Sequence, residues 1–290
     1  MPVLLIQLID ANKNIFIDKT FFFQLIKKNN FIDHIELGWH GDPFQHPEIK
    51  EIITFLSANN IPHNIVTQGD LVKDTIAYLS DIQLKNTYFT IFLNGKDEKT
   101  VKKLSGKNIF NKILESMEYL TARGKTFDVI MQINKLNYKQ IEQTFDIASH
   151  YGCRMFIPVE TFPDKDNQHL LLTDKEKRQT LKTIESIIPT GKVLKTIQFE
   201  KPEANCSYFR KERIFINAEG KLAYCHFLAH LENTTLSERS CLEIDILEEN
   251  NKVRDKFLQE KAQQISSWPL PRKLSSPCSY CLSKFCNIKW

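Results

Sequence analysis

The first 160 residues alternate between short runs of consecutive apolar positions and longer segments whose apolar positions fall three or four apart. Val3–Ile9, His34–Trp39, Asn64–Thr67, Tyr88–Leu93, Phe127–Ile133 and Met155–Val159 have strand length. Between them Lys19–Lys28, Pro47–Asn59, Leu71–Leu79, Ile109–Ala122 and Tyr138–His150 read as helices. The clearest is Ile109–Ala122, with Ile109, Ile113, Met117 and Leu120 on one stripe and Gly124 placed to cap it. Apolar runs separated by amphipathic helices predict parallel strands covered by helices. Six such units are fewer than an eight-fold barrel requires. The expected fold is therefore α/β, a partial parallel (β/α)6 barrel over residues 1–200. Beyond Thr161 the pattern changes: residues 162–169 are polar, Thr173 opens a basic amphipathic helix reaching about Ile188, and Lys195–Phe199 is a further strand candidate. Residues 201–290 are expected to form a small Cys-rich metal-binding domain.

Composition narrows the function classes. Of 290 residues 42% are hydrophobic and 26% charged, enough for a packed core. Lys and Arg number 39 against 35 Asp and Glu; a net charge of +4 is too balanced to predict nucleic-acid or membrane binding. No apolar run approaches a membrane span, and Met1–Ile9 lacks the basic flank of a signal peptide, so a cytoplasmic location is expected. With only nine glycines, neither GxGxxG nor a Walker A loop occurs.

The cysteines carry the chemistry. There are seven, an odd number that disfavours a disulfide framework; none precedes Cys153 and six lie between Cys206 and Cys286. Cys206 is followed by thirteen residues, Gly220, four residues and Cys225; then come Cys278-Ser-Tyr-Cys281 and, four residues on, Cys286. Arg213–Cys225 reads as a β-hairpin turning at Glu219-Gly220, which fixes the separation of its flanking cysteines. A CxxC turn presents two thiolates on one side of a tight loop. Two such pairs can close on one centre, as tetrahedral zinc or a cubane cluster requires. Thiolates suit both metals, so spacing leaves zinc and iron–sulfur open. The plainer alternative, ordinary buried cysteines, fits Cys153 but not a CxxC with a fifth cysteine close by.

This cysteine pattern resembles the SPASM/twitch auxiliary-cluster extension of radical S-adenosylmethionine enzymes. The barrel region resembles the same superfamily over nearly its full length. Leu37-Gly38-Trp39-His40-Gly41-Asp42-Pro43 followed by His46-Pro47-Glu48-Ile49 resembles the GGEP segment after the second strand. Thr67-Gln68-Gly69 is similar to the TNG after the third, Phe92-Leu93-Asn94-Gly95 falls where SLDG sits, and Ile133–Asn137 resembles the fifth-strand segment ending in Asn. The resemblance implies one [4Fe-4S] cluster on Cys206, Cys225, Cys278 and Cys281, with Cys286 as a spare or substitute ligand and zinc as the alternative. It implies a vestigial cofactor segment at Gly41 and Asp42.

The departures are equally informative. The superfamily holds its catalytic cluster with CxxxCxxC in the loop after the first strand. That loop here is Asp10–Asp18, DANKNIFID, without a cysteine. The first Gly of GGEP is His40, its Glu is the shorter Asp42, and Phe92 stands where a serine would contact the ribose. S-adenosylmethionine is accordingly not expected, no catalytic residue is assigned, and activity as a radical enzyme is not expected. The reading is a degenerate radical-SAM-like iron–sulfur protein, a non-catalytic binding or assembly component for a peptide or a companion enzyme in a maturation pathway. The alternatives are an enzyme using a C-terminal cluster for electron transfer or Lewis-acid chemistry, and a zinc-stabilised binding module. Three residues have plainer readings: Asp42 as a turn or N-cap before Pro43, His46 as a helix start rather than one of a His34/His40/His46 metal trio, and Glu160 as a carboxylate without a visible partner.

Overall fold

The computed structural model describes residues 3–11, 13–28, 34–161, 168–194, 213–223 and 241–242. In chain order the strands are β1 (Val3–Ile6), β2 (Ile9–Asp10), β3 (Ile15–Phe16), β4 (Ile35–Leu37), β5 (His63–Thr67), β6 (Thr87–Phe92), β7 (Phe127–Ile133), β8 (Phe156–Glu160), β9 (Arg213–Ile216), β10 (Leu222–Ala223) and β11 (Cys241–Leu242). The helices are α1 (Lys19–Lys28), α2 (Ile49–Ala58), α3 (Val72–Ile76), α4 (Glu98–Ser105), α5 (Phe110–Ala122), α6 (Ile141–His150) and α7 (Asp174–Ile187). Seven strands, β1, β4 to β8 and β9, pair in parallel. The α/β class expected from the apolar runs is thus the one observed.

The chain divides into two compact units, Met1–Ile65 with Leu79–Thr87 and Pro202–Trp290, and Val66–Tyr78 with Tyr88–Lys201. In the first, β1 lies between β4 and β9, and β4 pairs onward with β5. Leu4, Ile35 and His63 lie in one register row, as do Ile6, Leu37 and Ile65, and all six are at most 4% exposed. Alternation puts Val3, Leu5, Glu36 and Asn64 on the other face, where Val3, Glu36 and Asn64 are half-buried. β10 runs antiparallel to β9, and β11 to β10. Asn217 closes the β9–β10 turn: its Oδ1 accepts from the amides of Glu219 and Lys221 (3.1 and 2.8 Å), and Gly220 takes φ +79. The hairpin is where the sequence places it. Its first strand, however, joins β1 as a seventh parallel strand, where periodicity counts six.

In the second unit β6, β7 and β8 are parallel. A methyl added at Gly69 would meet Ile91 and Ile113, which sets Ile91 against α5; Phe145 of α6 packs edge-on to Phe156 at 5.6 Å. Phe89, Ile91, Phe127, Val129, Met131 and Phe156 therefore form the helix-covered face, each at most 1% exposed. The helices start and stop where local chemistry dictates. Thr173 and Glu176 make a reciprocal capping box on α7, Asp97 accepts from the Thr100 amide (2.8 Å) to open α4, and Gly106 ends α4 at φ +73. The sequence reading has no helix at α4. Cys153 is 2% exposed, and burial pushes its thiol up to about 11, the packing role expected of it. Among the described residues no helix is long and apolar enough to cross a membrane.

Candidate functional site

Parallel strands present their loops at the carboxyl ends, where α/β folds place ligand sites. In the first unit the continuous run Val3–Ile9 breaks after Ile6, and the chain folds back as the β2–β3 hairpin, pairing Ile9 with Phe16 and Asp10 with Ile15. Leu8, Ile9 and Ile17 are 1–2% exposed, and the Ile17 amide donates to Leu8 O at 2.9 Å. Lys13 at the tip reaches Glu219 of the β9–β10 turn at 2.8 Å, and this contact, followed by Lys221, holds the Glu219 carboxyl below its ordinary range. Loop Asp10–Asp18 is thereby a pinned hairpin, a feature the sequence reading does not contain.

Gly41 and Asp42 lie together beside that hairpin. Gly41 has φ +74, and a Cβ there would stand 2.5 Å from Ile9 O. Asp42 is 6% exposed; its Oδ1 accepts from the Phe44 amide at 3.0 Å, capping the short turn Pro43–Gln45. His46 is buried with both ring nitrogens engaged: Nε2–H donates to Ile17 O (3.0 Å) and Nδ1 accepts from the Glu48 amide (3.1 Å). Both ring nitrogens are thus taken up in holding Ile17 and Glu48, the structural role expected of this histidine. Glu36, on the half-buried face of β4, accepts from Trp39 Nε1 at 2.9 Å, while Trp39 itself sits at φ +75. The sequence reading passed over this pair. Its signal was a carboxylate alternating with apolar Ile35 and Leu37.

In the second unit Phe92 is half-buried on the face of β6 opposite α5, level with Ile130 of β7. Asn137 is fully buried; its Nδ2 donates to Asn94 O and Gln132 O, and its Oδ1 accepts from the Asn134 amide. Asn94 Oδ1 in turn accepts from the Gln132 amide at 2.8 Å. These asparagines knit strand-end loops together. Glu160 has the partner that the sequence did not reveal, Lys177 of α7 at 2.7 Å.

Residues 22–148 match the family model of the radical SAM superfamily. The match spans less than half of the chain, which over these residues is similar to that superfamily. Solved structures carry the likeness further along the chain. Streptococcus suis SuiB bound to S-adenosylmethionine is 13% identical with a TM-score of 0.61 over 89% of this chain and 66% of that one. The chain therefore spans just under two thirds of that SuiB chain. Native anSMEcpe with bound AdoMet and Cp18Cys peptide is 13% identical with a TM-score of 0.67 over 98% of this chain and 88% of that one. At these identities the likeness is one of fold. No curated protein matches the chain.

At the positions where the resemblance would put that superfamily's cluster and nucleoside, the residues present differ from its usual ligands. The hairpin in the cluster-loop position carries no thiolate, Asp42 is committed to a cap, and Phe92 offers no hydroxyl. The metal candidates Cys206, Cys225, Cys278, Cys281 and Cys286 lie outside the described residues. Among the described residues no group of His, Cys, Asp and Glu could hold a metal ion.

Gly41 permits the close approach of the hairpin, and that can be measured. Gly41→Ala should cost about 2 kcal/mol or more, because a left-handed φ is combined with a backbone clash. Gly106→Ala, at φ +73 with nothing within 4 Å, should cost only about 1 kcal/mol. Equal losses in denaturant unfolding would show that Ile9 does not press on Gly41.

Proposed function

We propose that this chain is a degenerate radical-SAM-like iron–sulfur protein that acts as a non-catalytic binding or assembly component, holding a peptide or a companion enzyme. The observation that carries the reading is the Asp10–Asp18 segment, a hairpin without a single thiolate where the superfamily's cluster loop would be. Thiolates are the ligands such a cluster requires, and none occurs before Cys153. Gly41 and Asp42, the vestigial cofactor segment in this reading, serve the hairpin and the turn. The peptide part of the proposal is supported by SuiB, which has been solved bound to the precursor peptide SuiA with a TM-score of 0.61. Residues 201–290 are assigned as a small metal domain, with Cys206, Cys225, Cys278 and Cys281 around one [4Fe-4S] cluster, Cys286 in reserve, and zinc as the alternative occupant.

The test is formation of 5′-deoxyadenosine from S-adenosylmethionine by reconstituted, dithionite-reduced protein. The expected yield is that of a no-protein control. Production above that control would overturn the non-catalytic reading. If it then vanished on removal of the C-terminal cysteines, the alternative of an enzyme working through its C-terminal cluster would take its place.

A further inference from the structure

We propose that the lysines on and around α4 form a docking surface for an acidic polypeptide segment, a run of aspartates and glutamates in the bound peptide. This deepens the peptide-binding reading and rests on it. Residues 96–112 carry Lys96, Lys99, Lys102, Lys103, Lys107 and Lys112 against only Asp97 and Glu98, a net charge of +4. The whole chain also carries +4, so its other 33 basic residues are matched by 33 acidic ones and the entire excess lies in this segment. All six lysines are exposed, and among the described residues none of the six makes an ion pair. The two acids do not neutralise the surface. Asp97 is committed to the cap of α4; the Thr100 amide above all holds its carboxyl below the ordinary range, with smaller effects from Lys96 and Lys99. Glu98 is half-buried, with Oε1 shut off from solvent.

Packing fixes which way the helix faces. Thr100 and Val101 are buried, Thr100 Oγ1 accepting from Gln140 Nε2 at 2.9 Å, and helical spacing puts Lys99, Lys102 and Lys103 together on the opposite side. Helix stability does not account for them. Lys102 and Lys103 suit the negative C-terminal end, but Lys99 sits in the first turn, at the positive end of the dipole. Lys99 also faces Lys102 and Lys103 at three and four residues, like-charge pairs that weaken a helix. An anionic partner relieves that repulsion. All six cations are lysines: no arginine forks onto a phosphate, and no exposed aromatic lies among residues 96–112 to stack on a base. That favours carboxylates over nucleic acid. α4 is about 12 Å long, matched by about four residues of extended chain, so the complement is a short acidic run.

The experiment follows the fluorescence anisotropy of labelled hexaglutamate, hexaglutamine and hexalysine titrated with the full chain. Hexaglutamate alone should bind saturably, and more weakly as sodium chloride rises from about 50 to about 200 mM. Replacing Lys99, Lys102 and Lys103 together with glutamine, a good helix former, should weaken it at least about tenfold, the loss of three exposed ion pairs. A control with the same loss of charge on α7, at the exposed Lys175, Arg178 and Lys182, should bind as the wild type does. In the wild type, bound hexaglutamate should also protect Lys99, Lys102 and Lys103 from acetylation, read by mass spectrometry, a result independent of any variant's folding. Unprotected lysines, an α4 variant that binds as well as wild type, or a control that loses as much, would overturn the surface while leaving peptide binding intact. Hexaglutamine binding as tightly as hexaglutamate would overturn the acidic preference and keep the peptide reading. An oligothymidylate that binds more tightly, with the same dependence on the lysines, would replace the polypeptide by nucleic acid. No binding of hexaglutamate would overturn the surface alone, since 5′-deoxyadenosine formation tests the non-catalytic reading separately.

Discussion

Lowering the pH from 7 to 5 is expected to destabilise the first unit by about 2 kcal/mol through His63 alone. His63 is fully buried, with Nδ1–H donating to Ile61 O and Nε2 engaging the Thr87 hydroxyl, each at 2.9 Å. Burial pushes its pKa from 6.5 down to about 4; the Ile61 carbonyl opposes that shift and His34 adds to it. The folded state therefore keeps the ring neutral where the unfolded chain begins to protonate it. The stabilising contribution is complete above the unfolded pKa of 6.5 and is lost as the pH falls towards 4, amounting to about 3 kcal/mol in all. His63→Gln keeps a donor and an acceptor but cannot titrate. Carboxylates also respond in this range, so the quantity to compare is the change in unfolding free energy between pH 7 and 5, wild type minus variant. An identical change in both would mean that His63 ionises freely in the folded protein.

Much of this fold is legible along the chain because its strands are locally encoded. Phe127–Ile133 is predicted and found with the same bounds, since its apolar residues suit strand conformation and little else at that length. Helix α7 is announced by Thr173 and Glu176, a local capping signal that needs no tertiary help. What escapes the sequence is non-local or locally weak. β9 pairs with β1 across some 210 residues of chain, and no periodicity reports such a partner. α4 buries only Thr100 and Val101 beneath a lysine-rich surface, so its apolar stripe is too thin to see; Asp97 and Gly106 were its real markers.

The site divides in the same way. Gly41 and Asp42 are legible as a motif, yet their contacts with Ile9 O and the Phe44 amide depend on a hairpin that appears only when Val3–Ile9 breaks at Gln7. Glu36 and Trp39 stand three residues apart, and their hydrogen bond follows from one backbone angle that sequence does not specify for tryptophan. Lys177 meets Glu160 only because α7 returns beside β8.

Replacing Cys278 and Cys281 together with serine should reduce the metal content of the chain from about one centre to essentially none. The argument is one of ligand number. Cys206 and Cys225 flank a hairpin whose turn is closed by Asn217 and Gly220, and Cys278-Ser-Tyr-Cys281 supplies two further thiolates, four in all. A cubane or a tetrahedral zinc ion is satisfied by four thiolates, whereas two leave it open to water and chelators. Cys286 can replace at most one lost ligand, which is why the double variant is the decisive one. Structural metal sites contribute on the order of 10 kcal/mol of folding free energy, so losing the centre should make residues after 223 sensitive to protease while the sheet from β1 to β10 persists. Full iron or zinc occupancy in the double variant would rule out this ligand set. Wild-type protein with stoichiometric zinc and no absorbance near ~400 nm would keep the ligands and replace iron as the occupant.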